Sequence, residues 1–324
     1  MTTSRNIRWY LSISVLESVL VLFCVVLGFT APGFLTTDNI LNILRNVSMQ
    51  GLIAFGMTMV IIAGEIDLSV GSAVAFSGCL TAFLTGWLSG AGVTLPAAVA
   101  IGILVAILAG LLFGVLTGFL RVRYQVPSFI TTLALMTGLT GAAELITNGF
   151  PLTPFPDWYN FIGGGYLAGI PFPAILFIVT FALMHVLMNY TTFGRSVYAV
   201  GGNAEAARLS GISVPFVKMA VLGITGILAA VSGVMVSSEI MSGTATTAKG
   251  WELDVIAAVI IGGTSLMGGV GRIWGTMIGV IFLGIIINGM TLLNVSEYWQ
   301  HVVRGLLILA AVLLNRMQQP AERQ

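Results

Sequence analysis

From Leu95 to Leu120 the chain carries no charged side chain, and the run ends only at Arg121. A helix needs roughly 20 apolar residues to cross the hydrocarbon core of a bilayer. This stretch is long enough to span a membrane and too apolar to clothe a soluble domain. It has company: 57% of the 324 residues are hydrophobic and 8% are charged, against about 25% charged in soluble domains. A water-soluble surface cannot be built from that supply of polar side chains. The fold class is therefore all-α, a polytopic integral membrane protein.

Ten segments qualify as candidate membrane helices, near 10–29, 49–64, 70–88, 95–120, 127–146, 170–188, 214–236, 253–270, 273–290 and 300–315. The first is longer than the apolar core of a signal peptide and lacks a small-residue cleavage site, so it reads as an uncleaved first helix. Lys and Arg at the ends of short loops set orientation. With Arg5 and Arg8 inside, Arg121, Arg123, Arg195, Arg208, Arg272, Arg316 and Arg323 also fall inside, while 147–169 has neither Lys nor Arg and falls outside. Arg45 and Lys249 are the exceptions. The expectation is one membrane domain, residues 1–324, of about ten helices, some short or broken. Both termini are cytoplasmic, and a long cytoplasmic loop covers about 189–213.

Several chemistries are excluded. A net charge of +1 provides no basic surface for nucleic acid. Cys24 and Cys79 lie in apolar segments and read as packing residues, and His185 and His301 stand far apart, so no metal-ligand cluster forms. The only lysines are Lys218 and Lys249, and no G-x-x-x-x-G-K-[ST] loop occurs. No serine elbow or H-E-x-x-H motif occurs either. No catalytic residues are expected, and no cofactor in this chain.

Two interruptions stand out. Residues 49–64 would span about 24 Å as a helix, short of the roughly 30 Å core. The segment from Leu253 runs into GGTSLMGGVG, Gly262–Gly271. Short or glycine-broken helices often mark a substrate path; tight turns at the surface are the alternative. GEIDLSVGS, Gly64–Ser72, follows the first break and places Glu65, Asp67, Ser69 and Ser72 together. Acids at membrane depth are expensive and usually functional, yet Asp67 or Ser69 could equally cap the next helix. Glu252 and Asp254 repeat the Glu-x-Asp pattern weakly and favour a helix N-terminus. Glu17 has no assigned role. Gly110, Gly114 and Gly118, and again Gly271, Gly275 and Gly279, form small-residue ridges suited to close helix packing within one subunit.

The long polar loop TTFGRSVYAVGGNAEAARLSGISVP, Thr191–Pro215, has its own logic. Asn203 can cap a short helix through Ile212, alanines favour it and Gly211 can stop it. Leu209 and Ile212 give it too small an apolar face to anchor in lipid, so a docking element for a partner fits better. EAARLSG, Glu205–Gly211, resembles the EAA-x-x-x-G signature of ABC importer permeases. GEIDLSVGS, PSFITTLALM and WELDVIAAVIIGGTSLMGGVG are similar to the sugar branch of the ribose and branched-chain amino acid permease family, in order, over about residues 30–315. Many members of that family carry Gly where this chain has Glu65.

The resemblance implies a permease subunit of a bacterial inner-membrane ABC importer for a sugar or related polyhydroxyl compound. It implies a second permease copy or homologous chain, a periplasmic sugar-binding protein, and a separate ATPase subunit that carries ATP and Mg. Asn203, Glu205, Ala206, Ala207, Arg208 and Gly211 would couple to the ATPase. Glu65, Asp67, Ser69, Ser72, Thr131, Thr132 and Asn288 are candidates for lining the path. Two rivals remain: a branched-chain amino acid permease of the same family, and a stand-alone secondary carrier. The second would need an ion-binding constellation such as Glu65 and Asp67 with a basic partner, and no basic residue lies near them in sequence. The charge placement predicts that a reporter fused after Pro154 is periplasmic and one after Asn203 cytoplasmic; paired phosphatase and fluorescent-protein fusions check this, and reversed signals would overturn the orientation.

Overall fold

The structure, a computed structural model, describes the backbone of residues 3–318 and the side chains of residues 16–310 and 313. Arg5, Arg8, Arg316 and Arg323, used above to orient the chain, lie outside the residues whose side chains are described. The helices are α1 (Thr3–Thr30), α2 (Thr37–Ile62), α3 (Val70–Gly90), α4 (Leu95–Tyr124), α5 (Ser128–Thr147), α6 (Phe161–Gly164) and α7 (Phe172–Tyr190). They continue with α8 (Thr192–Gly202), α9 (Ala204–Leu209), α10 (Val214–Glu239), α11 (Trp251–Ile261), α12 (Ile273–Leu292) and α13 (Glu297–Gln318). One two-stranded hairpin, β1 (Tyr166–Leu167) with β2 (Ile170–Pro171), precedes α7. The protein is thus an all-α polytopic membrane protein.

Among the described residues, seven helices are long and apolar enough to cross a membrane: α2, α3, α4, α5, α7, α10 and α12. The remaining candidates are α1, α11 and α13. α11 has only 11 residues and stops at Ile261, where the glycine run begins. The glycine run itself is not helical, so the helix expected over 253–270 is a half-helix followed by a loop.

The expected short helix over 49–64 is corrected. α2 begins at Thr37 and has 26 residues, about 39 Å at 1.5 Å per residue. Its first dozen residues, TDNILNILRNVS, are too polar to register as a span by hydropathy. They stay helical because their polar groups find partners. The Thr36 hydroxyl caps the helix by accepting from the Asn39 N–H. Asn39 and Asn288 exchange amide hydrogen bonds of 3.0 and 2.8 Å, and the Ser48 hydroxyl returns to the Leu44 carbonyl. Arg45, an exception to the charge rule, donates to the Tyr166 hydroxyl and lies over that ring.

α2 and α10 are the most enclosed of the seven long helices, followed equally by α3 and α12. The second half of α2, from Ser48 to Ile62, is almost entirely buried. α4 packs antiparallel along α10 through the glycine ridge. Gly110 faces Gly226 and Ala230, Gly114 faces Leu222 and Gly223, and Gly118 faces Met219. Gly275 and Gly279 sit in the same way on the Gly262 and Ala258 backbones of the α11 end. Both ridges therefore pack within the subunit. Gly271 differs: it precedes α12 and touches the Ile62 and Thr264 side chains. Hydroxyl pairs pin the centre, with Thr58 to Thr276 at 2.6 Å and Ser232 to the Met49 carbonyl at 2.7 Å. Glu17 accepts from the Trp274 indole.

A Cβ on Gly226 would overlap the Gly110 carbonyl, whereas one on Gly138 would meet nothing within 4 Å. Overpacking a tight contact costs about 1–3 kcal/mol. Gly226→Val is expected to lower the melting temperature in detergent by several degrees while Gly138→Val leaves it unchanged, as differential scanning fluorimetry would read.

Candidate functional site

Three of the helix ends share one chemistry. After α2, Gly64 takes a φ of +77°, its N–H reaches the Ile61 carbonyl, and the Glu65 N–H reaches Val60. After α9, Gly211 takes +84° and its N–H reaches Arg208, while the Ile212 N–H reaches Ala207. After α11, Gly263 takes +88°, its N–H reaches Ile260, and the Thr264 N–H reaches Val259. Each is a Schellman stop, in which a left-handed glycine turns the chain away and the last carbonyls are still satisfied.

Beyond Gly64 the chain has no regular secondary structure as far as Ser69, and its N–H groups need other acceptors. The Ser128 hydroxyl takes the Ile66 N–H at 3.2 Å, and the Thr132 hydroxyl takes the Leu68 N–H at 3.1 Å. Both hydroxyls belong to α5, so the broken segment lies along the first turns of that helix. Asp67 Oδ1 accepts from the Ser69 N–H at 2.8 Å and from its hydroxyl at 2.6 Å. Ser72 donates to the Ser69 carbonyl at 2.8 Å. Glu65, Asp67, Ser69, Ser72 and Thr132 are buried, and each has its polar atoms engaged in holding this segment. Thr131 donates only to the Pro127 carbonyl of its own helix. Asn288 stands apart with Asn39, about 35 Å from Ile62 along α2.

The structure supplies the basic partners of Glu65 that its sequence neighbourhood lacks, which corrects that expectation. Arg121, at the end of α4, donates to both carboxylate oxygens at 3.0 and 3.1 Å, and Lys218, at the start of α10, pairs with Oε1. Glu65 is 3% exposed. One carboxylate thus ties the α2 break to the ends of α4 and α10, and both cations are spent on it, so no ion-binding vacancy results. Asp254 similarly pairs with Arg304 of α13 at 3.0 Å. The Glu252 carboxylate lies against Gly71 in the first turn of α3.

The loop after α7 is more helical than its sequence suggests. α8 occupies Thr192–Gly202, with Gly194, Val197 and Val200 buried, and the Thr191 hydroxyl caps it. Asn203 then caps α9 by accepting from the Ala206 N–H at 2.9 Å. α9 ends at Leu209, three residues before the expected Ile212. Ala207 is buried, while Asn203, Glu205, Ala206, Arg208 and Leu209 are exposed. Arg208 donates to Glu205 at 3.0 and 2.6 Å, and this cation holds the Glu205 carboxyl below its usual range.

α8 is seated on both helix breaks. A Cβ on Gly201 would overlap the Ile62 carbonyl and lie 2.7 Å from the Gly269 nitrogen. A Cβ on Gly268 would lie 2.8 Å from the Gly201 carbonyl and 3.2 Å from Gly64 Cα. The Gly269 N–H donates to the Ile62 carbonyl at 2.8 Å, and the Tyr198 hydroxyl to the Gly271 carbonyl at 3.0 Å. Three backbones meet where there is no side chain to keep them apart. Sequence reasoning missed α8, Tyr198, Ser128, Arg121 and Lys218. The available signal was the isolation of Lys218 in an otherwise apolar helix. Among the described residues no group of three His, Cys, Asp or Glu could hold a metal.

Residues 39–312 match the family described as branched-chain amino acid transport system / permease component. The chain is 46% identical over 299 residues to the ribose import permease protein RbsC of Bacillus subtilis (strain 168), covering 92% of this chain and 90% of that one. It is 43% identical over 301 residues to the probable ABC transporter permease protein YphD of Escherichia coli (strain K12), covering 92% and 87%. It is 37% identical over 309 residues to the L-arabinose transport system permease protein AraH of the same strain, covering 95% and 91%. No solved structure matches.

Removing one member of a buried ion pair costs about 3–5 kcal/mol. The side chain of Arg121 is 30% exposed and that of Lys218 14%, so water softens the loss to about 2 kcal/mol. Glu65→Gln is expected to lower detergent stability by that amount, and Glu65→Gln with Lys218→Met to recover part of it; a double-mutant cycle on melting temperature checks the coupling.

Proposed function

The chain belongs to the branched-chain amino acid transport system / permease component family, and on that premise we propose that it is the membrane permease subunit of an ATP-driven importer for a sugar. The substrate class rests on its similarity to ribose and L-arabinose permeases. The chain itself is not an enzyme. ATP and Mg belong to a separate ATPase subunit, and a periplasmic sugar-binding protein delivers the cargo. A second copy of this chain or a homologue completes the path. Ten membrane crossings, with both termini cytoplasmic, fit the charge distribution and the helix order.

One observation carries the mechanism. α9 offers an exposed polar face, and α8 behind it touches the end of α2 and the loop after α11 through glycines. A push on α9 by the ATPase would reach both helix breaks with little lost in side-chain compliance, because close-packed backbone contacts transmit displacement. Glu65 would carry the same movement to α4 and α10 through Arg121 and Lys218. The broken segments would then re-aim α3 and α11, opening the path inward. In this reading Asp67, Ser69, Ser72 and Thr132 shape the hinge, and Asn203, Glu205, Ala206, Ala207, Arg208 and Gly211 form the coupling element.

A stand-alone carrier is disfavoured by the similarity to ribose and L-arabinose permeases, and it would leave the α8–α9 element without a task. A branched-chain amino acid cargo finds no support among the named relatives described above.

Pro cannot adopt the left-handed backbone of Gly211, and Glu205→Lys reverses the exposed charge. Both variants are expected to keep the chain in the membrane while uptake of D-ribose or L-arabinose falls at least tenfold and the ATPase no longer copurifies. Normal uptake by both would remove α9 from coupling.

A further inference from the structure

α2 carries a second polar feature that the hinge does not use. Asn42, Asn46 and Gln50 recur every four residues, so they share one face of the helix. Asn42 and Asn46 are exposed, and Gln50 is half-buried. The Asn46 amide donates to Asn42 Oδ1 at 3.2 Å, and the Gln50 carboxamide has no hydrogen-bond partner among the described residues. The face starts near the α2 end that contacts Asn288 and reaches Gln50 about 20 Å in from Thr37. Gln50 is thus near the middle of the 26-residue helix, which is longer than the roughly 30 Å hydrocarbon layer, so the face cannot be confined to the headgroup region.

Lipid is a poor neighbour for it. A carboxamide moved from water into hydrocarbon without a partner costs roughly 4–8 kcal/mol, and three of them sit in one row. Ile40 and Leu44, also exposed, point to other sides of the same helix and suit lipid. The row therefore faces water. Arg45 beside it is turned to the Tyr166 hydroxyl, and the three carboxamides of the row are neutral groups that both donate and accept hydrogen bonds. A hydroxyl group asks for the same pairing.

We propose that Asn42, Asn46 and Gln50 line the outer half of the substrate path and pass a neutral polyhydroxyl compound inward by successive hydrogen bonds. The cargo class rests on the transport function proposed above; the water-filled path does not. None of these three residues belongs to the hinge or to the coupling element, so their loss should spare both.

The test uses the complete transporter in right-side-out membrane vesicles, in a Cys24→Ala, Cys79→Ala background. Asn42→Cys, Asn46→Cys and Gln50→Cys are each exposed to a charged, membrane-impermeant methanethiosulfonate reagent. Leu104→Cys, on the exposed side of α4, is the lipid-facing control. The three path positions should react at least tenfold faster than the control. Rates equal to the control would overturn the path, as would a disulfide between two copies at Asn46→Cys that blocks labelling. In parallel, each of Asn42→Ala, Asn46→Ala and Gln50→Ala should raise the half-saturating concentration for D-ribose or L-arabinose uptake about fivefold, the worth of one hydrogen bond of about 1 kcal/mol, with ATPase copurification unchanged. Unchanged half-saturation in all three would overturn the hydrogen-bonding role. Failure of the unaltered transporter to take up either sugar would reject the cargo class here and in the proposed function, while the labelling rates would still decide the path.

Discussion

A buried backbone N–H that leaves the helical ladder needs another acceptor, and the architecture is organised around two places where the ladder stops. At Gly64 and Gly263 the chain ends a helix with the same left-handed stop and leaves no carbonyl of the final turn wasted. The backbone after each stop must be bonded from outside. The Gly64–Ser69 segment borrows hydroxyls from Ser128 and Thr132 and a carboxylate from Asp67. The Gly262–Arg272 segment bonds to the end of α2 through Gly269 and to α8 through Tyr198. Without those partners the backbone of either break would be left with unsatisfied polar groups.

The same requirement explains why polar residues gather where they do. Asp67, Ser69 and Thr132 resemble substrate ligands when met in sequence, because isolated polar residues in an apolar chain invite that reading. In the structure they bond to one another and to the backbone of the broken segment. The residues with spare hydrogen-bonding capacity are elsewhere, in the first half of α2 and at its middle. Burial is thus divided along a single helix: its second half is almost wholly enclosed core, and its first half displays amides.

Much of this was legible in advance. The apolar runs that became α3, α4, α5, α7, α10 and α12 are long and uninterrupted, so hydropathy alone finds them. The Asn203 cap and the Gly211 stop are local signals, and both hold because a six-residue helix has little tertiary context to override them. α2 was half hidden, since its first turns are polar and the partners of Asn39 and Arg45, Asn288 and Tyr166, lie 249 and 121 positions away. α8 was hidden because Gly, Arg, Ser and Tyr weaken any helical pattern, and its stability comes from burying Val197 and Val200. The Glu65 pairing joins residues 56 and 153 positions apart, a separation at which no spacing rule operates.

The small helix α9 and its neighbour α8 also divide two kinds of constraint between them. α8 meets the breaks through bare glycine backbone, where any added carbon collides, so that surface is locked by geometry. α9 turns its exposed side chains outward, where Glu205, Arg208 and Leu209 touch nothing that the fold depends on. Sequence can drift on one side without disturbing the other. A transporter built in this way could exchange its motor by rewriting a single exposed helical turn, while the route by which movement enters the membrane stays as it was.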